Sequence, residues 1–176
     1  MKMMKKLMAV ALAGVMALTL LAGCGNPYAL TEKELLNALT DVSPVTLDNG
    51  TEDGAKVTLK AADNTDAAKV MQALAEQDPE SRDFYLQDAA DWQTVLNIKD
   101  DECVGIAYKK VTEIKSETMN KLQNLRYATG LLGSVKPVTS ARPNDGAEAT
   151  VSVKIGKIGD AEYIVMVLRT TDTIIY

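Results

Sequence analysis

The chain has 176 residues, with 24 acidic against 19 basic side chains, two cysteines and no histidine. Without an imidazole there is no Ser-His-Asp or Cys-His catalytic arrangement and no histidine-ligated zinc site, and two cysteines are too few for a thiolate cluster. The net charge of −5 repels nucleic-acid phosphates, and no basic cluster larger than Lys109-Lys110 offsets it, so no nucleic-acid partner is expected.

The chain opens with Lys2, Lys5 and Lys6, runs apolar over residues 7–22, and reaches Gly23 and Cys24. A basic start, an apolar run and small residues before a cut site are the layout of an export signal. The run is shorter than the roughly 20 residues that span a bilayer, and no stop-transfer charges follow it. Leu21-Ala22-Gly23-Cys24 resembles the lipobox of bacterial lipoproteins at all four positions. The resemblance implies a diacylglyceryl thioether on the Cys24 sulfur, cleavage before Cys24, and Cys24 as the new N-terminus. Residues 1–23 are then a cleaved signal peptide, 24–30 the lipidated start and a short linker, and 31–176 one globular domain. Two acyl chains, at about 0.8 kcal/mol per buried methylene, suffice for stable anchoring. Removing residues 1–23 takes away three lysines and no acid, so the charge of −5 becomes −8. What remains is enough for one sizeable core but short for two.

Thr31 followed by Glu34 forms a capping box, and Leu35, Leu36 and Leu39 share a face, which predicts a short helix over residues 31–39. Turns follow at Asn49-Gly50 and Asp53-Gly54. The alternation of Ala55, Val57 and Leu59 with Lys56, Thr58 and Lys60 predicts a half-buried strand. Residues 42–47 are candidates to pair back on it, with Pro44 favouring an edge. Asn64 or Thr65 caps a second helix reaching about Gln77, on the spacing of Ala67, Val70, Met71 and Leu74. Residues 82–91 have no clear period.

Trp92, Thr94, Leu96 and Ile98 alternate with more polar residues and predict a strand. Lys99-Asp100-Asp101-Glu102 reads as a polar turn, and residues 103–111 as the return strand of a first hairpin. Ser116 caps the strongest helical pattern, carried by Met119, Leu122, Leu125 and Leu132, and Gly133 ends it. Residues 137–147, with Pro143 and Asn144-Asp145-Gly146, read as a long surface loop. A second hairpin joins residues 151–155 to 163–168. The unbroken apolar run from Tyr163 to Leu168 predicts burial on both faces and a central place in the sheet. The fold expected is α+β: a mainly antiparallel sheet of about five strands, with two β-hairpins, packed by two or three helices.

With Cys24 lipidated, Cys103 stands alone and no intramolecular disulfide is expected. In the apolar run Cys103-Val104-Gly105-Ile106-Ala107-Tyr108 it reads as a small buried hydrophobe, since no histidine supports a thiolate. Asp100, Asp101 and Glu102 are adjacent in one turn, whereas a glycosidase needs two carboxyls about 5 to 9 Å apart across a cleft. A solvated loop is the expected reading. Trp92, the only tryptophan, is as readily a core residue as a sugar platform. Asp48-Asn49-Gly50-Thr51-Glu52-Asp53-Gly54 is rich in oxygen ligands, but Gly50 and Leu59 fall at the third and twelfth positions of a calcium loop, so a turn is expected.

No catalytic residue, cofactor or metal ligand is therefore expected; the one site residue is Cys24, the point of lipid attachment. The expectation is a lipid-anchored, non-catalytic binding or interaction domain on the extracytoplasmic side of the cell membrane. Its partners are the membrane, through Cys24, and an envelope protein or cell-wall component. The alternatives are a small carboxylate-dependent envelope enzyme acting on glycans and a solute-binding lipoprotein, although proteins of the latter kind usually close two lobes on their ligand.

Overall fold

The computed structural model describes residues 31–77, 90–111 and 128–174. The lipobox, Cys24, most of the 82–91 stretch and the Ser116 start of the long predicted helix lie outside these residues. In chain order the elements are α1 (Glu32–Asp41), β1 (Val45–Leu47), β2 (Ala55–Ala61), α2 (Thr65–Ala75), α3 (Trp92–Leu96), β3 (Cys103–Lys110), β4 (Lys136–Pro137), β5 (Arg142–Pro143), β6 (Glu148–Ile158), β7 (Ala161–Thr170) and β8 (Thr173–Ile174). Residues 128–132 are also helical. The fold is α+β, as the order of elements predicts.

The sheet runs β1-β2-β6-β7-β3-β4, and β5 pairs with β8 in a separate ribbon. It is mixed rather than purely antiparallel: β2 lies parallel to β6, and every other pairing is antiparallel. β7 is central, between β6 and β3, as its continuous apolar run requires. Ile164, Met166 and Leu168 enter one core, while Val165 and Val167 enter the other. The first core packs under α1 and residues 128–132 through Leu35, Leu39 and Leu131; the second packs under α2 and α3 through Val70, Leu74, Trp92 and Leu96. Helices thus cover both faces.

α1 begins at the predicted capping box. The Thr31 hydroxyl accepts the Glu34 N–H at 3.2 Å, and the Glu34 carboxylate accepts the Thr31 N–H at 3.0 Å. β1 pairs antiparallel with β2 and forms the sheet edge, where Pro44 places it. Glu32 ties three elements together. β2 pairs with β6 only as far as Val151, so the Ile155 N–H lies past the end of β2 and donates instead to Glu32 Oε1 at 3.0 Å. Asn64, at the start of α2, donates to Glu32 Oε2 at 3.0 Å, and Lys154 Nζ lies 2.9 Å from Oε1.

Two elements depart from expectation. Residues 92–98 are not a strand: Trp92–Leu96 is the short helix α3, and β3 takes β7 and β4 as neighbours, so the first predicted hairpin does not form. Trp92 and Leu96 fit helical and strand spacing alike. The decision falls to Asp91, whose carboxylate caps the helix by accepting from the Thr94 N–H at 3.3 Å and hydroxyl at 2.6 Å. Asn97 then closes the helix with a left-handed φ of 50°. Residues 137–147 are not a plain surface loop either: they hold Pro137 of β4 and all of β5, with Ala141 and Ala147 buried. Their partners lie far off in sequence, on β3 and on β8.

Arg169 on β7 binds what lies over the second face. One nitrogen, Nη1, donates to Asp66 of α2 at 2.9 Å; Nη2 donates to Glu102 at 2.9 Å and to the carbonyls of Leu96 and Asn97 at the end of α3. Glu102 also accepts the Lys99 N–H at 3.0 Å, and its residue is only 7% exposed. The predicted solvated turn is therefore corrected at this residue: Asp100 and Asp101 are exposed, but Glu102 turns inward to a cation.

Two stability measurements follow. Arg169→Met strands a buried carboxylate and should cost about 3 kcal/mol in urea unfolding, with Glu102→Gln costing distinctly less. Glu32 is opposed by burial, which pushes its pKa up, but the donors from Ile155, Lys154 and Asn64 and the Lys154 charge win and hold it below the usual 4.5. A lowered folded pKa contributes stability above the unfolded value and loses it as pH falls through the folded one. Glu32→Gln should therefore cost about 1 kcal/mol at pH 7 after discounting for its partial exposure, and the gap to wild type should close as the pH is taken below 4.5.

Candidate functional site

Odd-numbered residues at the start of β3, Cys103 and Gly105, share a sheet face with Ala149 of β6 and Leu168 of β7. α1 does not extend over this end of the face, and of the helical residues 128–132 only Leu132 borders it. A cavity of about 380 Å³ opens there. Thr46, Leu47 and Asp48, leading out of β1, form one wall, and Leu132, Val135 and β4 form the opposite one. Arg142 and Pro143 of β5 close the end, beside Thr170. The lining is mostly apolar, as ligand cavities commonly are, with a few polar groups set in it.

Gly105 is what allows the second wall to close. A Cβ there would lie 2.5 Å from Val135 Cγ1, so only a residue without a side chain lets Val135 seat against β3.

Cys103 is free and half-buried on the cavity lining, not fully buried as its apolar run predicts. Burial pushes its thiol pKa up, against the opposing pull of the Arg142 charge and a hydrogen bond with Thr139. A thiol held protonated is a poor nucleophile. Arg142 is half-buried, and its guanidinium donates to the Thr139 carbonyl at 3.3 Å. Among the described residues it has no carboxylate partner. Lys136, exposed on β4, is the other cation on this side. Arg169 contributes to the lining, but its guanidinium is committed to Asp66 and Glu102.

The sequence candidates lie elsewhere or are already engaged. Trp92 is a core residue, 4% exposed, over the second face. In the stretch from Asp48 to Gly54, Asp48 Oδ1 accepts the Gly50 N–H, and buried Asn49 accepts from the Thr51 N–H and hydroxyl. Gly50 and Gly54 adopt φ values of 81° and 66°, so the stretch is a turn, as predicted. Among the described residues no group of three or more acidic or cysteine side chains is placed to hold a metal, and no helix is long and apolar enough to cross a membrane. Arg142 escaped sequence reading because a single arginine between Ala141 and Pro143 carries no pattern, and Leu47 and Cys103, which share the cavity with it, come from strands far away in the chain.

No protein-family model matches the chain, and neither the curated proteins nor the solved structures contain a match.

Gly105→Ala should force Val135 off β3 and lower the urea midpoint by an amount equivalent to about 1 to 3 kcal/mol. A midpoint unchanged from wild type would show that the wall yields freely.

Proposed function

We propose that the protein is a lipid-anchored extracytoplasmic lipoprotein whose folded part is a non-catalytic binding domain, with the cavity at the end of the sheet as its ligand site. The observation that carries the anchor is Leu21-Ala22-Gly23-Cys24 behind a basic and apolar leader. The linker enters the fold at Thr31, beside Ile155 of β6, through Glu32. The cavity lies at the level of Ala149, about 20 Å away along β6 at 3.3 to 3.4 Å per residue. A tether at one end and a cavity at the other suit a domain that presents its site away from the point of attachment.

The distribution of carboxylates supports binding over glycan hydrolysis. Asp48 is the only acid on the cavity lining among the described residues, whereas a glycosidase needs two across its cleft. Glu102, the most enclosed acid of the 100–102 turn, is held by Arg169. The cavity also favours a small ligand over a large partner surface.

Metabolic labelling with a palmitate analogue tests the anchor. The wild-type chain should be labelled and sediment with membranes, and Cys24→Ser should be unlabelled and retain its leader. Equal labelling of the two would remove the lipoprotein assignment.

A further inference from the structure

We propose that the cavity binds a small amphipathic carboxylate, with its apolar part against Leu47, Leu132, Val135 and Leu168 and its carboxylate on the Arg142 guanidinium. This rests on the reading of the fold as a binding domain, and it names the class of ligand.

The charge arrangement points that way. The chain is acidic overall, yet among the described residues lining this cavity Arg142 and Lys136 are set against a single acid, Asp48, one of whose oxygens already accepts from the Gly50 N–H. A half-buried guanidinium with no carboxylate partner among the described residues has forgone both full hydration and an ion pair with them, so an incoming carboxylate recovers the lost interaction. Contrast Arg169, whose outer nitrogens have two carboxylates and two carbonyls. A guanidinium fork matches the two oxygens of one carboxylate. A dianion such as a phosphate monoester would leave charge uncompensated against a mostly apolar lining, which is costly. Size agrees: a space of about 380 Å³, filled to ordinary protein packing density, takes on the order of ten to fifteen non-hydrogen atoms. That corresponds to a medium-chain alkanoate or the free carboxyl end of a short apolar peptide, which share the recognised chemistry.

Cys103 on the lining is a built-in reporter. The full-length protein in isolated membranes would be treated with iodoacetamide, and the alkylation rate at Cys103 read from its own peptide by mass spectrometry, so that any other cysteine does not interfere. The probes are decanoate, below its micelle-forming concentration, and N-acetyl-leucine, which carries the free carboxyl end of an apolar peptide, each set against its neutral amide. The proposal expects at least one carboxylate to slow Cys103 alkylation tenfold or more at a concentration where its amide changes the rate less than twofold. Arg142→Gln should abolish that difference. Which of the two acids protects tells an alkanoate from a peptide end. Equal protection by acid and amide would overturn the carboxylate while leaving a binding cavity in place; no protection by any of the four would overturn the ligand class altogether. Should Arg142→Gln unfold the chain, seen as alkylation at the rate of the urea-denatured protein, the acid-against-amide comparison in the wild type decides alone.

Discussion

The arrangement of elements over the second face of the sheet depends on one guanidinium. Arg169 stands near the end of the central strand and gathers the first turn of α2, the end of α3 and the 99–102 turn. α3 has only five residues, too few to hold a helical conformation by its own hydrogen bonds. It persists because Asp91 caps its start, Trp92 and Leu96 are buried, and Arg169 binds the carbonyls at its end. Its Nε is buried without a partner, so the geometry serves the two outer nitrogens at the expense of the third. Such a cluster adds little net stability over a well-packed apolar one, but it admits one arrangement of its members, because each misplacement leaves a charge unpaired.

Glu32 plays the corresponding part on the opposite side. The mixed sheet leaves an N–H exposed where β2 stops short of β6, and Glu32 accepts it while pairing with Lys154 and holding Asn64. The same residue lies in the first turn of α1, where a negative charge also suits the helix dipole. A single carboxylate thus sets the position of α1 against the sheet and the entry of α2. Apolar packing also holds both helices down but has no direction of its own; for α2 the direction comes as well from the Ala67 N–H, which donates to Ser152 Oγ at 3.0 Å, and from Asp66 on Arg169.

The cavity is a consequence of where those helices stop. α1 covers β2 and the far half of β6 and has no residue on the cavity lining, and of the helical residues 128–132, which cover part of the same core, only Leu132 borders the end of the sheet where β3 begins and β7 ends. β5 and the residues around β4 surround that end instead of filling it. What lines the opening is then a set of residues from six strands, with cations in excess over acids.

Local physics was legible wherever one segment determined its own state. The Thr31 capping box, the turns at Gly50 and Gly54, the strand over residues 55–60, the second hairpin and the central place of β7 all follow from side-chain period or turn chemistry, and all are present. Where two periods share the same residues, as at Trp92 and Leu96, alternation misled, because the deciding cap at Asp91 lies outside the alternating set. The parallel pairing of β2 with β6, the two-residue strands holding Pro137 and Pro143, and the turning of Glu102 toward Arg169 required contacts between residues 67 or more positions apart in two of these cases, and a distant strand in the third. The sequence by itself determined the class of fold, the absence of imidazole chemistry and the lipobox resemblance, since composition and short motifs depend on neighbours along the chain. Only the tertiary structure decided that Cys103, Arg142 and Leu47 meet at one cavity, because nothing in a residue's own neighbourhood records which strand will lie beside it.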